Sequence, residues 1–133
     1  MEDLQPISDT EQATFCVELA KRLNTLRRQD HLCDVTLVTK DDKEFKAHGT
    51  VLSAASPFFF KLLQSDMKKN REGLVWFEEI SGAVTEDVLE FIYTGTVDVT
   101  QENSKDLIAA AHFLVIPGLE KVSERFLERQ MSK

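Results

Sequence analysis

The stretch from His31 to Phe60, HLCDVTLVTKDDKEFKAHGTVLSAASPFFF, decides the fold class. Its first part, Leu32–Thr39, alternates in hydropathy and is rich in β-branched residues, which predicts a strand. A charged turn separates this strand from Glu44–Ala47, which we expect to return beside it as the second strand of a hairpin. Ser56–Pro57 is a strong helix-start signal, because serine caps a helix and proline fits its first position. The stretch therefore predicts a β-hairpin that leads into helices.

The chain downstream of this stretch is mostly helical in pattern. The polar segment 65–73 predicts an exposed loop, and the apolar residues 74–77 predict a short strand. Apolar residues at helical spacing then predict three further helices, of which the first ends at Gly95 and the last begins at Pro117.

A further helix is predicted upstream of the hairpin, at residues 11–29. The whole order is therefore helix, hairpin, two helices, strand and three helices. This order predicts an α+β fold that is mostly helical, with a small sheet on one side. We expect a flexible leader at residues 1–10 and a single domain over residues 11–133.

The composition limits the class of protein. The chain has 23 acidic and 16 basic residues and a net charge of −7, whereas a phosphate-binding surface needs clustered Lys and Arg. Its 133 residues can bury a core without disulfides or metal, and two cysteines do not make a disulfide scaffold. We find no signal peptide and no apolar run as long as a membrane span. We therefore expect a cytoplasmic or nuclear protein that contacts neither nucleic acid nor a membrane.

No group of residues predicts catalysis, a metal site or a bound cofactor. The three histidines, His31, His48 and His112, belong to no metal-binding motif, and the sequence has no Cys-x-x-Cys pair. The five glycines stand alone and form no phosphate loop. Cys33 lies close to His31, but further zinc ligands are missing, so we expect Cys33 to be a small buried hydrophobic residue. The expected function is binding of other proteins, not catalysis.

The helix at 11–29 carries one apolar stripe on a charged surface. The stripe consists of Phe15, Cys16, Leu19, Leu23 and Leu26. A polar joint, Arg27–Asp30, separates this helix from the first strand. An apolar stripe must be covered, and two coverings are open: the rest of the same domain, or the same helix in a second copy, which would give a two-fold dimer.

Five ordered motifs carry a family resemblance. They are CDVTL at 33–37, FKAH at 45–48, VLSAASPFF at 51–59, FIYTG at 91–95 and LIAAA at 107–111. Together they closely resemble the BTB/POZ family over nearly the whole chain after Thr10. The leading helix is similar to the extension found in the kelch-like and zinc-finger branches of the family, and the C-terminal tail looks more like the kelch-like branch.

The resemblance implies a BTB/POZ fold with an N-terminal dimerisation helix. It implies a homodimer whose interface is the apolar stripe of that helix. In the kelch-like branch the domain is an adaptor that holds a cullin-3 scaffold for ubiquitin transfer. In the zinc-finger branch it recruits corepressors to a transcriptional regulator. We favour the kelch-like interpretation and keep the zinc-finger branch as the alternative.

The cullin adaptors of this family carry a hydrophobic residue, any residue and then glutamate in the loop after the phenylalanine-rich helix. The matching residues here are Met67, Lys68 and Lys69, so lysine stands where the family has glutamate. A reversed charge weakens or redirects binding when the partner is complementary to the original charge. By resemblance, the cullin-like surface consists of Phe60, Ser65, Asp66, Met67, Lys69 and Tyr93.

A second departure from the family pattern follows His48. Many relatives have a basic residue at the next position, and in the zinc-finger branch it is expected to form a charged pocket with the aspartate that matches Asp34. The residue here is Gly49. We therefore expect structural polar roles for Asp34 and His48, with Asp34 as a buried carboxylate bonded to His48 or to nearby backbone N–H groups.

Overall fold

The computed structural model describes the backbone of residues 6–69 and 73–131 and the side chains of all of these except 66–69. Within these ranges the elements, in chain order, are α1 (Asp9–Arg28), β1 (Val35–Thr39), β2 (Glu44–Ala47), α2 (Gly49–Ala55), α3 (Pro57–Lys69), β3 (Leu74–Phe77), α4 (Gly82–Thr94), α5 (Ser104–Leu114) and α6 (Pro117–Met131). The predicted order of elements and the α+β fold class are both confirmed.

The sheet has three strands in the order β2-β1-β3. β1 pairs antiparallel with β2, where Leu37 lies opposite Phe45, as expected for a hairpin. It pairs in parallel with β3, where Leu37 lies opposite Val75. A parallel pair needs a crossover connection, which α2 and α3 supply. Because side chains alternate along a strand, these three residues share the face that packs on the core.

The core lies between this face of the sheet and helices α2–α6. The rings of Phe59 and Phe77 join α3 to the sheet, with their centroids 5.3 Å apart. Ser56 accepts a hydrogen bond from the Phe59 N–H at 3.2 Å, as its predicted capping role requires. Its hydroxyl also donates to the Leu114 carbonyl at 2.6 Å, so the same serine ties the start of α3 to the end of α5.

The start of α1 differs from the prediction by two residues. The helix begins at Asp9 because Ser8 is its cap, and the Ser8 side chain accepts a hydrogen bond from the Glu11 N–H at 3.1 Å. Asp9 and Glu11 then place negative charge in the first turn, where the helix dipole favours it.

The end of α3 was predicted wrongly. The helix continues to Lys69, so residues 65–69 are helical and are not part of an exposed loop. The prediction failed because it took polar composition as a loop signal. Lysine and methionine are good helix formers, and no glycine or proline interrupts the chain between Pro57 and Gly73.

The described ranges, 6–69 and 73–131, contain neither a membrane-spanning helix nor a cluster of metal ligands. No helix there combines the length and the apolar character that a membrane crossing requires. No three His, Cys, Asp or Glu side chains there come close enough together to bind a metal ion.

Candidate protein-interaction surfaces

The first half of α1 makes little contact with the rest of the described chain. None of residues 9–19 is buried, and we call residues 9–20 the α1 arm. Phe15 is 66% exposed, Leu19 is 50% exposed, and Cys16 between them is also exposed. Several large apolar side chains exposed together on one helix make this arm a candidate interaction surface.

The second half of α1 packs against α4. Its buried residues are polar, Asn24 and Arg27, and Arg27 pairs with Glu90 of α4. Leu23 and Leu26, the last two residues of the predicted dimer stripe, are half-buried. The stripe is therefore divided between an exposed part on the arm and a part that lies where the helix meets its own domain.

A cleft of about 640 Å³ lies beside α5, and we call it the α5 cleft. Apolar side chains line it, among them Ile80, Val84 and Phe113, together with charged Lys40 and Glu79. The Phe113 ring lies 4.5 Å from the ring of Phe58, centroid to centroid, so the cleft adjoins the phenylalanine-rich helix α3. Apolar side chains with charged residues of both signs beside them form a surface suited to binding another protein.

The α5 cleft was not predicted from the sequence. Its lining comes from three segments, around Lys40, Glu79–Val84 and Asp106–Phe113, which only the folded chain brings together. One signal was available, because Phe113 is a large aromatic residue on a helix whose other apolar positions already account for a buried face.

A second and smaller depression, about 330 Å³, lies on the other side of α3, and we call it the α2 groove. Phe60 lines it together with Asp34, Gly49 and Ser53. Phe60 and Phe58 are two residues apart on a helix and so point about 200° apart. Phe60, which was predicted for the cullin-like surface, therefore lies with Asp34, for which a structural polar role was predicted.

Asp34 is bonded to a backbone N–H, as predicted, but its side chain is exposed. Its Oδ1 accepts a hydrogen bond from the Gly49 N–H at 2.8 Å. Asp34 is exposed, however, so the expectation of a buried carboxylate was wrong. A Cβ at position 49 would lie 3.2 Å from Val35 Cγ2 and 3.4 Å from Asp34 Oδ1. Glycine thus lets the start of α2 approach Asp34 more closely than a basic residue could.

Tyr93 lies in the interior, so its predicted place on the cullin-like surface was wrong. Only 2% of the residue is exposed. Its hydroxyl accepts from the His48 backbone N–H at 3.0 Å and lies 2.8 Å from His48 Nδ1. Burial raises the pKa of the Tyr93 hydroxyl above its usual value. Tyr93 was predicted for the surface only because of its position in the family pattern. Its hydrogen bonds to His48 keep the side chain in the interior.

His48 is buried and fully bonded, in keeping with a structural polar role. Its Nε2 lies 3.0 Å from the carbonyl oxygen of His31, which only accepts hydrogen bonds. The ring therefore carries its proton on Nε2, and Nδ1 accepts from the Tyr93 hydroxyl. This arrangement joins the chain just after α1 to α4 through one imidazole.

Cys33 is half-buried and in polar surroundings, so the prediction of a small buried hydrophobic residue was wrong. Its Sγ lies 3.7 Å from His48 Nε2 and 3.9 Å from the Arg27 carbonyl oxygen. Burial raises the pKa of the Cys33 thiol, and the nearby carboxylates of Asp30 and Asp34 raise it further.

The remaining residues of the predicted cullin-like surface lie at the end of α3. Ser65 is exposed. Asp66, Met67 and Lys69 belong to the helix by their backbone, and their side chains lie outside the described residues. The prediction that Lys69 alters cullin binding therefore stays a prediction.

The family model for the BTB/POZ domain matches residues 23–131. Human Kelch-like protein 2 is 37% identical over 111 residues, which is 84% of this chain and 18% of that protein. Kelch-like protein 3 of Bos taurus is 32% identical over 111 residues, 84% of this chain and 19% of its own length. The chain thus spans about a fifth of the curated relatives that it matches.

Two solved structures have the same fold. The BTB domain of zebrafish PATZ1 superposes with a TM-score of 0.75 at 25% identity, covering 95% of this chain and 99% of that one. The BTB domain of human gigaxonin gives a TM-score of 0.75 at 25% identity, covering 93% and 98%. This chain belongs to the BTB/POZ family, and its domain is a protein-interaction module and not an enzyme.

Proposed function

We propose that this domain is a homodimerising adaptor of the kelch-like kind, which binds a second copy through α1 and a cullin-3-type partner beside α3 and α5. The observation that carries the dimer is the α1 arm, on which Phe15 and Leu19 are at least half exposed. Burying the exposed half to two-thirds of such a side chain stabilises a complex by roughly 1–2 kcal/mol, and two-fold symmetry doubles each contribution. A dimer also gives any attached binding domain two copies, which raises avidity without new contacts.

The partner surface on this proposal consists of the α5 cleft, which adjoins Phe58 at the start of α3, and of the residues at the end of the same helix. The cleft offers an apolar pocket to a helix of the partner, and Phe113 supplies the large aromatic contact that such interfaces use. The cullin identity rests on the resemblance to the kelch-like branch and on the relatives named Kelch-like protein 2 and 3. An adaptor of this class acts in the cytoplasm or the nucleus.

A second candidate function is the dimerisation and corepressor-recruiting domain of a zinc-finger regulator. The α2 groove favours it, since Phe60 and Asp34 lie there together. The absence of a basic residue at Gly49 weighs against it, because no cation on that residue can complete a charged pocket with Asp34.

Calorimetric titration of the N-terminal region of cullin-3 into the domain tests the proposal. We expect binding that Phe113→Asp abolishes, because a carboxylate would then lie in the apolar cleft. Lys69→Glu, which restores the family residue, should bind more tightly than the native chain. Met131→Asp is the matched control, since Met131 is 85% exposed at the end of α6 and lines neither the cleft nor the groove.

The titration separates the two candidates. If neither the native chain nor Lys69→Glu binds cullin-3, the adaptor proposal fails and the α2 groove becomes the site to test with corepressor peptides. If the native chain binds and Phe113→Asp binds equally well, the partner surface has been assigned to the wrong cleft.

A further inference from the structure

A buried arginine lies at the joint between α1 and the rest of the domain. The Arg27 side chain is 5% exposed. Its Nε donates to Asn24 Oδ1 at 2.9 Å, and its Nη2 donates to Glu90 Oε2 at 3.3 Å. The guanidinium carbon lies 5.1 Å from the centre of the Tyr93 ring, within the range of a cation–π contact. Arg27 is thus fixed on its own helix, on α4 and against an aromatic face.

The aromatic face that receives Arg27 is itself immobilised. The Tyr93 hydroxyl both accepts a hydrogen bond from His48 and donates one to it. It accepts from the His48 backbone N–H and donates to His48 Nδ1. The other ring nitrogen of His48 donates to the carbonyl of His31, in the segment that follows α1. The last turn of α1 and the chain that leaves it are therefore both bonded to the same Tyr93–His48 pair.

The neighbouring Arg28 provides an internal contrast. It pairs with Glu90 and also, at 4.0 Å, with Glu86, but its side chain is 52% exposed and contacts no aromatic ring among the residues that the structure describes. Exposed ion pairs contribute little to stability, because water screens them and two long side chains must be ordered. The two adjacent arginines share Glu90 and differ in burial and in their other partners, which are Asn24 and the Tyr93 ring for Arg27 and Glu86 for Arg28.

The length of α1 makes the angle at this joint important. The distance along α1 from the anchored turn at Asn24 to Asp9 at the tip of the arm is about 22 Å, at 1.5 Å per residue. A tilt of about 20° at the joint would displace the tip of the arm by about 8 Å, more than one helical turn. A symmetric interface fits only one relative placement of its two patches, so the joint decides whether two arms can meet.

We propose that Arg27 is a positioning residue for dimerisation, which holds the α1 arm at the angle that a second copy requires. This inference rests on the proposed homodimer. Arg27 fixes the angle of the arm through its contacts with Tyr93 and Glu90, and it does not itself contact the second copy.

The first test compares dimer dissociation constants, measured by sedimentation over a dilution series. Arg27→Met, which keeps the aliphatic length and removes the charge, should raise the dissociation constant about tenfold or more. Arg28→Met is the matched control and should change it less than about threefold. Val75→Ala is the control for loss of stability. Val75 is buried in β3 and not part of α1, so this substitution should lower the melting temperature without changing the arm.

The second test measures the angle without a dimer. Trp76 is the single tryptophan and lies on β3, and Cys16 is an exposed thiol on the arm that can carry an energy-transfer acceptor. In a Leu19→Asp, Cys33→Ser background, Arg27→Met should widen the distribution of distances from Trp76 to the dye, and Arg28→Met should leave it narrow.

The outcomes separate a failure of the proposed dimer from a failure of the proposed role of Arg27. A native chain that does not dimerise would refute the proposed function, and the distance distribution would still decide whether Arg27 sets the arm. Equal effects of Arg27→Met, Arg28→Met and a stability-matched Val75→Ala, with a narrow distribution throughout, would overturn the inference. If Arg27→Met does not fold, Arg27→Lys, which lacks the planar stacked fork, is subject to the same two outcomes.

Discussion

The two halves of α1 form one continuous helix and have opposite surroundings. The arm holds Phe15 and Leu19 in solvent, whereas the half that packs on its own domain buries Asn24 and Arg27. Within a single chain this reverses the usual rule that apolar residues lie inside and charged ones outside. The contrast indicates that the domain itself does not cover the apolar part of the helix. The polar part is held by hydrogen bonds and an ion pair in the domain, and the apolar part stays exposed in the single copy.

Leu19→Asp is expected to have the largest effect on this contrast. In a dimer it would put two carboxylates into an apolar interface, so we expect the dissociation constant to rise by at least about 1,000-fold, or about 4 kcal/mol. At concentrations where the native chain is monomeric, the melting temperature should change little, because Leu19 is half exposed in the single copy. Sedimentation and thermal unfolding measure the two effects separately. Equal dimerisation by Leu19→Asp and native protein would show that the arm is not the interface.

Tyr93→Phe tests the anchored half. The change removes only the hydroxyl, so that His48 loses the partner of its Nδ1 and of its backbone N–H while the ring beneath Arg27 remains. Leaving buried polar groups without partners should lower the free energy of unfolding by about 1–3 kcal/mol, as measured by urea denaturation. A loss below about 0.5 kcal/mol would mean that this network contributes little to the fold.

Ser8→Ala tests the cap of the arm. Losing the hydrogen bond to the Glu11 N–H should destabilise the helix start by roughly 1 kcal/mol. Amide hydrogen exchange should therefore accelerate in the first turn of α1 and stay unchanged in α4 and α5. Faster exchange spread over the whole domain would contradict the independence of the arm.

The smallest expected effect is a pH dependence in the anchored body. The hydroxyl of Thr39, followed by the Gly82 N–H, lowers the pKa of Asp41, which ties the hairpin turn to the start of α4. A carboxyl whose pKa is lower in the folded state adds stability above its unfolded value of about 3.9, and this stability is lost as pH falls through the folded pKa. Asp41→Asn should therefore reduce the acid sensitivity of unfolding below about pH 4, with the native chain measured in parallel.

The sequence predicted the parts of the fold that depend on local pattern. Alternating hydropathy predicted the hairpin that contains Leu37, and the Ser56–Pro57 pair predicted where α3 begins. Five ordered motifs gave the family. The helical spacing of Phe15 and Leu19 also placed them correctly on one stripe.

What the sequence did not predict depends on contacts between distant segments. Periodicity tells which residues share a face but not what covers that face, so the burial of Arg27 by α4 was not visible. The same limit hid the opposite directions of Phe58 and Phe60, of which the first adjoins the α5 cleft and the second lines the α2 groove. Tyr93 was assigned to a surface because motif position says nothing about pairing with His48.

The most direct test of the central claim is the alkylation rate of Cys16 as a function of protein concentration. The thiol is exposed on the arm, and a dimer joined through the stripe would cover it. We predict that its rate falls as concentration rises through the dissociation constant and that Leu19→Asp restores the fast rate at every concentration. Cys33, half-buried in its own chain, provides the reference whose rate should not change. A native chain that sediments as a dimer while Cys16 reacts at a constant fast rate would contradict the claim that the α1 arm forms the interface.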